Sequence, residues 1–259
     1  METITVFLSD WQVLFREGIH FTLCGEEDME VIGETTNNEE ALNFIGANPP
    51  MVAVLNINHE KFSGVDATHR INRNFPSISV ILVTDVDDEE HLFSALRCGA
   101  SAYLNKDIDP GDLVDIIRKV AQGEKPIGEA LLRKEIASRV INEFEAFALL
   151  GEQVGNVFAR ISPTEADILR HLAEGNSSEQ IAQSLTIDQE VIEHHLGLIL
   201  SKLVSNDHNR ELIAAAQQGL PSIITKAGRP PADYVTREEF NAFKESLGER
   251  LKSFITGLG

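Results

Sequence analysis

Residues 51–64, MVAVLNINHEKFSG, decide the fold. Four apolar residues, Val52 to Leu55, run without a polar break into Asn56, and a polar loop then closes on Gly64. A short apolar run without alternation suits a strand buried on both faces of a parallel sheet. The carboxyl end of such a strand is where open α/β sheets place their sites. In this chain that end carries an amide.

Working outward, the same grammar recurs. ITVFL (4–8), MEVIGET (29–35), VAVLN (52–56), SVILVTD (79–85) and SAYLNK (101–106) are expected strands. Between them lie amphipathic stretches at 13–24, 37–49, 65–76, 87–100 and 109–123. Asn37 or Asn38 caps the second, Pro76 stops the third and Gly99 ends the fourth. Asp109 and Pro110 open the fifth as cap and first helical residue. Five βα units predict a doubly wound parallel sheet with helices on both faces.

Downstream the chain is helical. Residues 129–150 form an expected linker helix, with Leu132, Ile136, Val140, Phe144 and Phe147 along one side. That side suits packing on neighbouring helices and equally suits a second subunit. SPTEADILRHLAEG (162–175) opens with a capping box, Ser162 to Glu165. SSEQIAQSL (177–185), a third helix within 186–203 and a fourth over 209–219 complete an expected helix-turn-helix unit. Ile168, Leu169, Leu172, Ile181, Ala182, Leu185, Val191, Ile192, Leu196, Ile199 and Leu203 are its expected core. After a turn-rich KAGRPPADY, residues 236–258 space Phe240, Phe243, Leu247, Leu251, Phe254 and Leu258 by three and four. This stripe fits docking on the protein's own body or a self-association seam. The expected units are 1–125, 126–160, 161–218 and 219–259.

The bulk numbers narrow the function. The 259 residues carry a net charge of −19, of which residues 1–125 hold −13, with 22 acidic and 9 basic side chains. Residues 219–259 are the one positive stretch, with 6 basic and 5 acidic. No broad nucleic-acid surface follows from this balance. Cys24 and Cys98 define neither a disulfide framework nor a metal cluster. No secretory leader and no membrane span are expected, which places the protein in the cytoplasm. No nucleophile–base arrangement, cofactor or metal motif stands out, so an enzyme is not expected.

Residues 1–125 resemble the receiver domain of bacterial two-component response regulators, and 161–218 resembles the LuxR/NarL-type helix-turn-helix output domain. The resemblance implies a flavodoxin-like (βα)5 receiver ahead of an all-α DNA-binding domain. It also implies a phosphoacceptor pocket, carried over here residue by residue. In FLSDWQVLFREG, Asp10 keeps one metal-binding acid and Trp11 stands where a second acid is expected. Asn56 stands at the phosphoacceptor position and Glu60 where the family has proline. Thr84, Lys106 and the switch aromatic Tyr103 are kept.

The chemistry of these substitutions points one way. Phosphoryl transfer needs a carboxylate nucleophile, which a neutral amide does not replace. Mg²⁺ wants several hard oxygen ligands, and Trp11 supplies none. The expected receiver therefore works without aspartyl phosphate, with Lys106 paired to Asp10 or bonded to the Asn56 oxygen. Asp85 is expected to be a loop acid. In the output domain the resemblance puts Gln189, Glu190, Glu193, His194 and Lys202 near DNA. Acidic residues there repel phosphates, although a carboxylate can accept from a cytosine amino group. The expected function is a phosphorylation-independent transcriptional regulator, a homodimer through 129–150 or 236–258, with a regulatory protein at the receiver face. A protein-interaction adaptor built from the same domains is the alternative.

Overall fold

The computed structural model describes residues 3–58, 62–86, 88–154 and 157–219. Glu60, Asp87 and the whole 220–259 segment, including the stripe at 236–258, lie outside the described residues. Five strands alternate with five helices: β1 (Ile4–Ser9), α1 (Val13–Cys24), β2 (Met29–Thr35), α2 (Asn38–Ala47), β3 (Val52–Asn56), α3 (Gly64–Asn74), β4 (Ser79–Thr84), α4 (Glu89–Cys98), β5 (Ala102–Asn105) and α5 (Pro110–Ala121). The strands pair in parallel in the order β2-β1-β3-β4-β5. That is the flavodoxin-like order, with the switch point between β1 and β3.

Strand alternation divides the core into two layers. Val6, Leu8, Val52, Val54, Ile81 and Val83 face α1 and α5. Phe7, Ala53, Leu55, Val80 and Leu82 face α2, α3 and α4. β3 is buried at every residue, as its unbroken apolar run requires. Gly64 has a steric reason: a Cβ there would meet the Asn56 carbonyl oxygen at 2.5 Å. The glycine lets α3 start directly against the end of β3.

A 3₁₀ turn, Pro126–Leu132, precedes α6 (Lys134–Val154). The linker helix therefore starts later than expected. Pro126 sets up the tighter turn, and Leu132 falls outside α6 and is 43% exposed. Ile136, Val140, Phe144 and Phe147 are buried along the helix as expected.

The output domain has α7 (Pro163–Ala173), α8 (Ser178–Leu185) and α9 (Gln189–Gly219). Ser162 and Glu165 form the expected capping box. Thr186 makes the turn between α8 and α9 at φ 56, a left-handed conformation uncommon for a β-branched residue. Two expectations fail here. Val191 is 37% exposed and outside the core. The third and fourth helices are one helix, because VSNDHN (204–209) contains neither Gly nor Pro and its polar side chains are engaged elsewhere. Asn206 accepts from the Ala159 N–H at 2.7 Å and donates to the Ala159 carbonyl at 2.8 Å. Asn209 donates to the Val157 carbonyl at 3.0 Å. Neither side chain is left to cap a break.

The receiver's α2–α4 layer and the output core form one apolar cluster. At their seam Gly99 ends α4 at φ +82, and a Cβ there would sit 2.9 Å from Val204 of α9. No described helix is long and apolar enough to cross a membrane.

Candidate functional site

The carboxyl ends of β1, β3, β4 and β5 bring Asp10, Asn56, Thr84 and Lys106 together, all buried or nearly so. Asp10 is the hub. One carboxylate oxygen accepts from the Gln12 N–H at 2.7 Å and lies 3.1 Å from Lys106 Nζ. The other lies 2.8 Å from Lys106 Nζ and accepts from Asn56 Nδ2 at 2.9 Å. Of the two bonds open to Lys106, it takes the ion pair with Asp10. The Asn56 oxygen instead accepts from the Asn58 N–H at 2.7 Å.

Three supporting residues escaped the sequence reading. Asp85 is more than a loop acid: it lies 3.3 Å from Lys106 Nζ and accepts from Gln12 Nε2 at 2.9 Å. Asn38 is buried beneath the pocket, donating to the Asn56 and Phe62 carbonyls and accepting from Ser9. Its place just after the helix cap hid this role. Thr84 closes on its own loop, donating to the Val86 carbonyl at 2.9 Å and accepting from the Val86 N–H at 3.1 Å. Tyr103 donates to the same carbonyl at 3.3 Å. Trp11 is 53% exposed, with Lys106 Nζ 5.7 Å from its ring centroid.

The family's metal does not fit this pocket. Both Asp10 oxygens are committed to internal donors, and an ammonium stands between Asp10 and Asp85. A divalent cation needs those lone pairs free of a competing cation. The pocket is a satisfied hydrogen-bond network with one net cation bridging two anions.

In the output domain Gln189, Glu190, Glu193 and His194 are exposed on the first half of α9. Lys202 is placed differently: its Nζ lies 2.7 Å from both oxygens of Glu165, which is itself buried. Arg170 pairs with Asp167, and Arg210 with Glu143 and Asp207. Burial pushes the Glu165 carboxyl up, but hydrogen bonds from Lys202 and the Ser162 N–H, with the Lys202 charge, hold it below the usual range. A lowered folded value means this contribution is present at neutral pH and is lost as pH falls through that value. Glu165→Gln is expected to cost about 1–2 kcal/mol at pH 7, with the gap closing in acid. Urea unfolding at both pH values checks it.

A second polar cluster joins the two domains. Asp207 of α9, 2% exposed at its side chain, accepts from Arg97 of α4 (Nε at 2.8 Å, and Nη2) and from Arg210. Its other oxygen lies 3.4 Å from His69 Nε2 of α3, which also meets Glu211 at 3.3 Å. His69, Asp207 and Glu211 thus converge as metal ligands would. Two guanidinium groups on Asp207 make the cluster an ion-pair network instead.

Residues 6–118 match the response regulator receiver domain, and residues 159–214 match the luxR family of bacterial regulatory proteins. The chain is a LuxR/NarL-type response regulator. Its domains make it a transcriptional regulator with a receiver and a DNA-binding domain. This response regulator is 29% identical over 221 residues to the transcriptional regulatory protein YxjL of Bacillus subtilis strain 168, covering 85% of this chain and 98% of that one. It is 29% identical over 218 residues to the response regulator VraR of Staphylococcus aureus, covering 84% and 99%. The signal receiver domain of NarL from Mycobacterium tuberculosis covers 48% of this chain and 100% of its own, at 27% identity and a TM-score of 0.47.

Proposed function

We propose that this response regulator controls transcription without aspartyl phosphorylation. The observation that carries the reading is the closed network of Asp10, Asn56 and Lys106. A nucleophile is missing from Asn56, and the metal's lone pairs are spent on internal donors. The receiver acts as a fixed scaffold whose input is a partner at the sheet-end face or the geometry of a homodimer. The dimer seam lies on 129–150 or 236–258, and 1–125 and 161–218 act as the receiver and output units.

DNA engagement falls to the exposed first half of α9, where Gln189, Glu190, Glu193 and His194 face outward. A recognition helix reads base edges with this portion. Lys202, bound to Glu165, serves first as a support for the helix. With Arg170, Lys202 and Arg210 each facing a carboxylate, phosphate contacts are few. Affinity is then carried by base contacts more than by phosphate neutralisation.

One experiment tests both halves. The protein is incubated with Mg²⁺ and acetyl phosphate, or with neither, weighed by mass spectrometry and titrated into promoter and random duplexes. No adduct within 1–125 and the same promoter affinity in both arms are expected. A stoichiometric adduct that tightens binding overturns the receiver reading. Equal, negligible binding to both duplexes at about 50 mM salt overturns the DNA reading.

A further inference from the structure

Most arginines among the described residues are spent on carboxylates: Arg16, Arg97, Arg118, Arg139, Arg170 and Arg210 each face at least one. A chain with 41 acidic and 22 basic side chains makes that the ordinary outcome. Arg70 and Arg73 of α3 depart from it. Among the described residues neither forms an ion pair. Asp66 stands four residues before Arg70, the spacing of a helical pair. The Arg70 guanidinium lies instead over the Phe62 ring, 4.6 Å from its centroid, and Asp66 accepts from Ser63 Oγ at 2.8 Å.

Both arginines line one cleft of about 250 Å³ between α3 and α9. His69 joins them from α3 and His208 from α9. Asp66 and Glu211 also line it, and each has a partner: Ser63 for the first, His69 Nε2 at 3.3 Å for the second. Positive charge prevails at the α9 wall. Burial, then the Arg73 charge, hold the His208 imidazole below the usual histidine range; His69 adds to this, and Glu211 and Asp207 offset it in part.

We infer that this cleft binds a small phosphate-bearing anion, clasped by Arg70 and Arg73 from the receiver and by His208 from the output domain. Three-residue spacing puts both guanidinium forks on one face of α3, and such forks match phosphate oxygens in pairs. The Phe62 ring already orders Arg70, which lowers the entropy lost on binding. The volume lies below the range of about 300–1,000 Å³ typical of drug-sized ligands, so phosphate, pyrophosphate or a short phosphate monoester fits better than a nucleotide. His208 directly follows Asp207, so the bound anion fastens α3 to α9 beside the ion pairs that already join the domains. It gives the molecule a chemical input separate from the Asn56 pocket.

Calorimetric titration of the full-length protein at fixed ionic strength tests this, with inorganic phosphate, pyrophosphate and glycerol phosphate, and with acetate as a non-phosphate anion. Saturable binding of the phosphate compounds and none of acetate is expected. The tightest of them assigns the source: phosphate or pyrophosphate a free ion, glycerol phosphate a phosphorylated metabolite. Arg70→Gln/Arg73→Gln should weaken binding at least about tenfold, the scale of lost charge-assisted hydrogen bonds. Arg133→Gln, at an exposed arginine outside the cleft, should leave it unchanged. The His208 ring signals in NMR should move with the same dissociation constant in the wild type. No saturable binding at about 10 mM ligand, acetate binding as tight as phosphate, equal loss in Arg133→Gln, or unmoved His208 signals each overturn the proposal.

Discussion

Asp207→Asn is expected to lower the free energy of unfolding by about 3 kcal/mol, the lower end of what breaking a buried charge pair costs. The carboxylate is nearly inaccessible and receives two guanidinium groups on one oxygen, while His69 approaches the other. An amide keeps one acceptor oxygen for the guanidinium groups but carries no charge to balance them, and its NH₂ would face His69. The arginines keep some relief, because Arg97 is 26% and Arg210 33% exposed and Glu143 lies near both. Urea unfolding measures the loss. The same variant should also uncouple the domains. Arg97 and Asp207 sit on opposite sides of the α4–α9 seam, so a single unfolding transition is expected to split into two. An unchanged midpoint and one sharp transition would contradict this account of the seam.

Lys106→Met is expected to cost about 3 kcal/mol, the other large effect. Its side chain is 7% exposed, and its ammonium serves the 4% exposed side chain of Asp10. Without it Asp10 remains a buried carboxylate holding two neutral hydrogen bonds, from the Gln12 N–H and Asn56 Nδ2. Asp85 loses its cation too, but at 37% exposure water takes over there. Adding Asp10→Asn to Lys106→Met should recover most of the loss, since no isolated charge then stays buried. Chemical denaturation of the four proteins of this cycle gives the coupling directly. A Lys106→Met variant as stable as the wild type would mean that the pocket is wetter and looser than its geometry.

The receiver was legible because each element announces itself locally. Five apolar strands, the caps at Asn37 and Asp109, and the terminating Gly99 occupy the places their chemistry dictates. Asp10, Asn56, Thr84 and Lys106 could be placed because each ends or follows a strand, and strand ends converge in a parallel sheet. Asp85, Gln12 and Asn38 were missed because their partners lie 73, 73 and 18–29 residues away, with no periodic signal to mark them. The continuous α9 was missed for a related reason. Asn206 and Asp207 look like helix breakers in sequence, and only tertiary partners at Ala159 and Arg97 reveal that they are not. Val191 faces outward because the buried stripe of α9 runs through Ile192, Leu196, Ile199 and Leu203, and Val191 sits one residue off it.

The unbroken α9 gives the molecule a lever. Asp207, gripped by the receiver, stands eighteen residues from Gln189, about 27 Å along one rigid rod. The helix is unbroken between them. A tilt of about ten degrees at the receiver end therefore sweeps the Gln189 end by about 5 Å, more than the roughly 3.4 Å between successive base pairs. Whatever displaces Asp207 against α4 is carried to the exposed start of α9, and the amplification is set by helix length alone.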